Sequence, residues 1–97
     1  MPTYDWLPSF GDDRKHLTDA QYRAYLIAVA HMVADLKTGN GFRKGLRIKK
    51  MQGYEGIWEL TFGDDLRATF EYGESKTPGD VHVTWRRIGT HKVFKRP

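Results

Sequence analysis

Trp58-Glu59-Leu60-Thr61-Phe62-Gly63-Asp64-Asp65-Leu66-Arg67-Ala68-Thr69-Phe70-Glu71-Tyr72 is the stretch whose reading decides the fold. Apolar and polar residues alternate on either side of Gly63-Asp64-Asp65, the period of half-buried β-strands, and the three residues between them are turn formers. Strands joined so closely pair antiparallel. Outward from this hairpin the same period recurs, broken at 53–56 and 73–80, so four strands are expected near 46–51, 57–62, 66–72 and 81–88.

Upstream of Gly39-Asn40-Gly41 the apolar period lengthens to about 3.6 residues, the repeat of an amphipathic helix. Tyr22, Tyr25, Leu26, Val29, Met32, Val33 and Leu36 form one stripe, while Arg23, His31 and Asp35 reach water. Thr18 and Gln21 are spaced as a capping box and Leu17 and Tyr22 as a hydrophobic staple. Lys37 and Gly39 mark the stop. Before it, Pro8 can open a short helical turn, and a short strand is allowed near 3–7. The expectation is an α+β fold: one domain over 1–97, with a helical part at about 8–38 packed on a twisted, mainly antiparallel four-stranded sheet at about 46–88, and a basic tail at 89–97.

The chain has 97 residues, 39% hydrophobic and 29% charged, which is globular composition. It has no cysteine, so neither disulfides nor thiolate metal sites are available. Its longest apolar run, 25–30, is far shorter than the roughly 20 residues of a membrane span, and a secretory leader's layout is missing. A soluble cytoplasmic protein is expected, with no membrane partner. The net charge of +4 is unevenly placed: residues 1–40 hold four Lys/Arg against five Asp/Glu, and residues 41–97 hold twelve against seven. Clustered positive charge interleaved with aromatics suits nucleic acid.

Strand parity assigns the two sheet faces. Leu46, Ile48, Trp58, Leu60, Phe62, Leu66, Ala68, Phe70, Tyr72, Val81, Val83 and Trp85 face the helix, and by the same parity so does Arg87. The other face carries Arg47, Lys49, Glu59, Thr61, Arg67, Thr69, Glu71, His82, Thr84 and Arg86, continued by His91, Lys92, Lys95 and Arg96. Guanidinium forks there suit phosphate oxygens. Glu59 and Glu71 are also placed to pair with those cations, so a solvated face of cross-strand ion pairs is the competing reading. Cutting RNA by attack of its own 2′-hydroxyl needs stabilising cations and a proton donor, and His91 suits that donor because imidazole titrates near pH 6.5. His16, His31 and His82 lie in a turn, on the helix and early on the last strand, at spacings that match no zinc pattern. No metal site and no cofactor are expected.

Three motifs lie in family order. Gly41-Phe42-Arg43-Lys44-Gly45-Leu46-Arg47-Ile48-Lys49-Lys50-Met51-Gln52-Gly53 resembles the basic strand-and-turn of the RelE/ParE toxins of bacterial toxin–antitoxin systems. Trp58-Glu59-Leu60 followed by Asp65-Leu66-Arg67-Ala68 looks like their strand, turn and arginine unit. Arg86-Arg87-Ile88-Gly89-Thr90-His91 looks like their Gly-x-His ending. The resemblance implies a metal-independent endoribonuclease acting on messenger RNA at the ribosome, held in check by an antitoxin that wraps the toxin and blocks its basic face.

Carried over by position, Lys49, Arg67 and His91 are the catalytic candidates. Lys49 acts electrostatically rather than as base, Arg67 contacts the phosphate, and His91 is the acid. Arg43, Lys44, Arg47, Lys50, Arg86, Lys92, Phe94 and Lys95 are the RNA-binding candidates. Phe94 stands where many ribonuclease members have a tyrosine, so it can stack on a base but transfers no proton. That departure keeps two alternatives open, a ParE-type inhibitor of DNA gyrase and a catalytically inactive nucleic-acid-binding module.

Overall fold

A computed structural model describes the chain except for Met1, Asp64 and Thr77 and, in their side chains, Val93 and Phe94. The elements are β1 (Thr3–Trp6), α1 (Pro8–Arg14), α2 (Asp19–Thr38), β2 (Lys49–Lys50), β3 (Trp58–Phe62), β4 (Leu66–Gly73) and β5 (His82–Thr90). Short 3-10 turns lie at Lys44–Leu46 and His91–Lys95. The α+β expectation holds, with five strands rather than four, in the order β1-β5-β4-β3-β2. The added strand is β1, which pairs parallel to β5 with Thr3 opposite His82 and Trp6 opposite Trp85. Every other pairing is antiparallel.

The α2 helix forms as its sequence dictates. Gln21 N–H donates to Thr18 Oγ1 at 3.1 Å while Thr18 N–H donates to Gln21 Oε1 at 2.9 Å, which satisfies two of the helix's orphan donors. Gly39 ends it at φ 73°, a left-handed conformation, with its N–H on the Asp35 carbonyl at 3.1 Å. Tyr25, Ala28 and Met32 are the residues it buries, and Leu26 and Ile27 are exposed. Tyr25 anchors the packing: its ring lies 5.6 Å from Phe10, 5.6 Å from Phe62 and 5.2 Å from Trp85. Leu60, Ala68 and Phe70 lose all solvent beneath that layer, and burial drives the Tyr25 phenol far above its usual pKa.

Two strands depart from the sequence expectation for physical reasons. β2 is only two residues long because Lys44–Leu46 turns to bury Leu46, and Arg47 follows in the left-handed region at φ 48°. β5 runs on to Thr90 and carries a bulge: Thr69 pairs with Arg87 but Phe70 pairs with Trp85, which leaves Arg86 as the extra residue. Trp85 and Ile88 therefore both enter the core, and Arg87 is not turned inward as unbroken alternation required.

β1 ends at Trp6, and α1 packs alongside the part of β5 that lies past it. Asp13 of α1 substitutes for a neighbouring strand, accepting the Ile88 N–H at 3.1 Å. Ser9 Oγ donates to the Arg86 carbonyl at 2.7 Å. An exposed sheet edge is thereby closed. At the other end, Arg43 N–H, Nε and Nη2 all donate to the Asp35 carboxylate at 2.8–3.0 Å and bind the post-helix linker to α2.

Candidate nucleic-acid interface

The sheet face opposite α2 is built in cross-strand rows. One row runs Lys49, Glu59, Thr69, Arg87 across β2 to β5, and the next runs Thr61, Arg67, Gly89. His91 begins the turn just past β5. With strands ~4.8 Å apart and a rise of ~3.4 Å per residue, Arg67 lies about 12 Å from Lys49 and about 8 Å from His91, Cα to Cα. The three catalytic candidates thus share one face, with Arg67 between the other two.

Their partners differ. Lys49 Nζ lies 3.5 Å from Glu59 Oε1. The lysine is exposed, whereas the Glu59 side chain is only 9% so. Arg86 pairs with Glu71 at 3.2 Å. These are the ion pairs of the competing sequence reading, present on the same face as the candidate site. Arg67 is different: its Nη1 donates to the Leu66 carbonyl at 3.0 Å, and it pairs with no carboxylate among the described residues. Its remaining donors suit an incoming phosphate.

His91 Nδ1 lies 3.1 Å from each oxygen of the Asp65 carboxylate. Asp65 occupies the β3–β4 turn at φ 54°, a left-handed conformation that aspartate tolerates better than most residues. A proton shared on Nδ1 fixes the ring orientation and leaves Nε2 as the nitrogen available to a substrate. Sequence reasoning took Asp65 only as a turn former.

Arg87 is the second residue that sequence reasoning placed elsewhere. Its Nε and Nη2 donate to Asp13 at 2.6 and 3.0 Å, and its Nη1 to the Arg96 carbonyl at 3.0 Å. The Asp13 carboxylate holds its guanidinium still more firmly protonated.

Other RNA-binding candidates are dispersed. Arg43 is engaged by Asp35 at the end of α2. Lys50 shares the helix-side parity of Trp58, and its ammonium sits 5.5 Å from that ring, at the β2 edge of the sheet. Lys44 and Arg47 are exposed ahead of β2, and Lys92 and Lys95 are exposed beyond β5. The Phe94 side chain lies outside the described residues. A shallow depression lined by Lys49, Lys50, Met51, Gln52, Tyr54 and Glu59 borders the face. An apolar cleft of about 150 Å³ lies on the far side between β1 and α2, walled by Tyr4, Trp6, Leu26 and Val29, and holds none of these candidates. No group of three or more potential metal ligands occurs among the described residues. No helix there is long and apolar enough to cross a membrane.

The sequence matches no protein-family model and no curated protein. Solved structures do match. YafQ from E. coli superposes with a TM-score of 0.61 at 14% identity over 96% of this chain and 97% of that one. The chain has the RelE-type toxin fold. The YoeB/ParE toxin from Agrobacterium tumefaciens gives 0.63 at 16% identity over 92% and 98%. The RelB–RelE antitoxin–toxin complex from Methanococcus jannaschii gives 0.60 at 17% identity over 94% of each chain. At such identities the likeness is one of fold. Within the RelE-type fold, this chain's basic sheet face lies opposite its helices.

Proposed function

We propose that the protein is the toxin of a toxin–antitoxin pair and a metal-independent endoribonuclease that cuts messenger RNA at the ribosome. The observation that carries this reading is the Asp65–His91 pair beside an arginine with no carboxylate partner among the described residues, on the polar face of a RelE-type fold. The complexes that YafQ forms with DinJ and RelE with RelB support an antitoxin as partner.

In the proposed reaction the ribose 2′-oxygen attacks phosphorus, its proton passes to solvent, and the bond from phosphorus to the 5′-oxygen breaks. His91 Nε2 donates a proton to that leaving oxygen, giving a 5′-hydroxyl and a 2′,3′-cyclic phosphate. Arg67 and Lys49 stabilise the charge that gathers on the phosphate. Such preorganised charge is commonly the larger contribution, and a positioned acid adds roughly 10²- to 10⁴-fold. Asp65 orients His91 and contacts no substrate.

The test compares wild type, His91→Gln and Asp65→Asn on one messenger RNA in EDTA, with and without ribosomes. His91→Gln is expected to lose cutting by at least 100-fold while RNA affinity stays within a few-fold. Asp65→Asn is expected to fall between the two. Equal cutting by all three would remove this site from the chemistry, and gyrase-dependent DNA breaks without RNA cleavage would replace the reading with that of a gyrase inhibitor.

A further inference from the structure

The sheet face that carries Arg67 is partly covered by the chain itself. The turn His91–Lys95 packs back against β4 and β5, and the residues that follow it continue across the face. Three successive main-chain oxygens are held there. Lys95 O accepts from Tyr54 Oη at 3.3 Å, Arg96 O from Arg87 Nη1 at 3.0 Å, and Pro97 O from Arg86 Nε at 3.3 Å. Pro97 is buried, and Thr69 has no exposure at all although its strand parity is polar.

The manner of attachment is informative. At Lys95 and Arg96 the segment contributes neutral amide carbonyl oxygens, while the exposed side chains of Lys92, Lys95 and Arg96 add positive charge beside Arg86 and Arg87. Glu71 and Asp13 pair with Arg86 and Arg87, so the repulsion from these like charges is only partial. Phosphate oxygens are stronger acceptors for guanidinium than carbonyls, because the hydrogen bond is charge-assisted. The Nη1 donor of Arg87 therefore gains by exchanging the Arg96 carbonyl for a phosphodiester.

We propose that residues 95–97 are a displaceable strap over the RNA path, latched by Tyr54, and that a single strand of RNA lifts it to reach Arg86 and Arg87. This rests on the ribonuclease reading for the identity of the polyanion. Asp65 keeps its hold on His91 at the head of the turn, so the strap opens without carrying the acid away. Because RNA binds only the open form, the apparent affinity is the intrinsic one scaled down by the open fraction.

Two variants test it against a single-stranded 2′-O-methyl RNA oligonucleotide, which lacks the attacking hydroxyl and cannot be cut. Tyr54→Phe removes the latch without changing charge and is expected to tighten binding by about three- to ten-fold, the effect of one lost hydrogen bond on the open fraction. The doubly substituted Tyr54→Cys, Lys95→Cys chain is then closed with a short bismaleimide; the protein has no other cysteine to react. The closed form is expected to bind at least ten-fold more weakly than the same chain capped with N-ethylmaleimide. Equal binding by closed and capped forms, or weaker binding by Tyr54→Phe, would overturn the strap while leaving the ribonuclease reading intact. No RNA binding by any form, wild type included, would overturn both.

Discussion

Replacing Asp13 by alanine removes the group that joins α1 to the uncovered edge of β5. Three contacts go at once: the Arg87 Nε and Nη2 bonds at 2.6 and 3.0 Å and the Ile88 N–H bond at 3.1 Å. The site is largely sheltered, with 17% of the Asp13 side chain and 29% of the Arg87 side chain exposed, so water only partly replaces what is lost. A hydrogen bond to a charged group contributes ~1.5–3 kcal/mol, and an amide left unsatisfied costs ~1–3 kcal/mol. Overlap among the three and partial rehydration bring the expected loss to about 2–4 kcal/mol. At ~4–8 °C per kcal/mol for a chain of this size, the melting temperature falls by about 8–32 °C. Asp13→Asn keeps an oxygen for Ile88 and is expected to lose about half as much. Urea denaturation of wild type, Asp13→Ala, Arg87→Ala and the double variant reads the coupling directly, at about 1–3 kcal/mol. A loss under ~0.5 kcal/mol for Asp13→Ala, or strict additivity in the cycle, would refute the claim that Asp13 serves as the missing strand.

Two further predictions follow from how the cations are paired. Arg67 has no carboxylate partner among the described residues while Arg43 is held by Asp35, so Arg67→Gln should shallow the slope of log affinity against log salt by about 0.7, whereas Arg43→Gln should leave it unchanged. Equal slopes for both variants, by fluorescence anisotropy of labelled RNA, would remove Arg67 from the phosphate path. The Arg43 hydrogen bonds lower the Asp35 pKa from 3.8 to about 2. Stability from that pair is therefore fully present above pH ~4 and lost as the pH falls through about 2. Wild type and Asp35→Asn should differ in denaturation midpoint above pH ~4 and converge towards pH ~2; a gap that widened on acidification would contradict the assignment.

Much of this molecule was legible because its information is local. The capping box at Thr18 and Gln21, the stop at Gly39 and the alternation through β3 and β4 each depend on residues a few positions apart. What was not legible depends on distant partners. β1 is four residues long and gains its identity from β5, nearly eighty positions away, and no local pattern announces a parallel pairing of that length. The bulge at Arg86 is a property of register between two strands, and it reverses the facing of every residue after it. That is why Arg87 was assigned to the core. The turn at Lys44–Leu46 shortens β2 to bury one leucine, a tertiary gain that outweighs strand propensity.

The candidate site divides in the same way. Lys49, Arg67 and Arg86 lie where strand parity puts them, whereas His91 shares the parity of Arg87 and comes to this face through the bulge and the turn that follows β5. Asp65 was visible as a turn residue, but its role comes from the position of His91 one strand over. Arg43 and Lys50 are candidates by their place in the basic strand-and-turn motif, and the structure gives each a different neighbour, Asp35 and Trp58. The main-chain oxygens of 95–97 left no side-chain pattern to read, since backbone acceptors look alike in any sequence.

The most direct test of the central claim is the chemistry of the cut ends left on messenger RNA by the purified protein in EDTA with ribosomes present. The account predicts a 2′,3′-cyclic phosphate on the upstream fragment and a 5′-hydroxyl on the downstream one, both lost with His91→Gln. A 5′-phosphate, or identical ends and yields from His91→Gln, would contradict it.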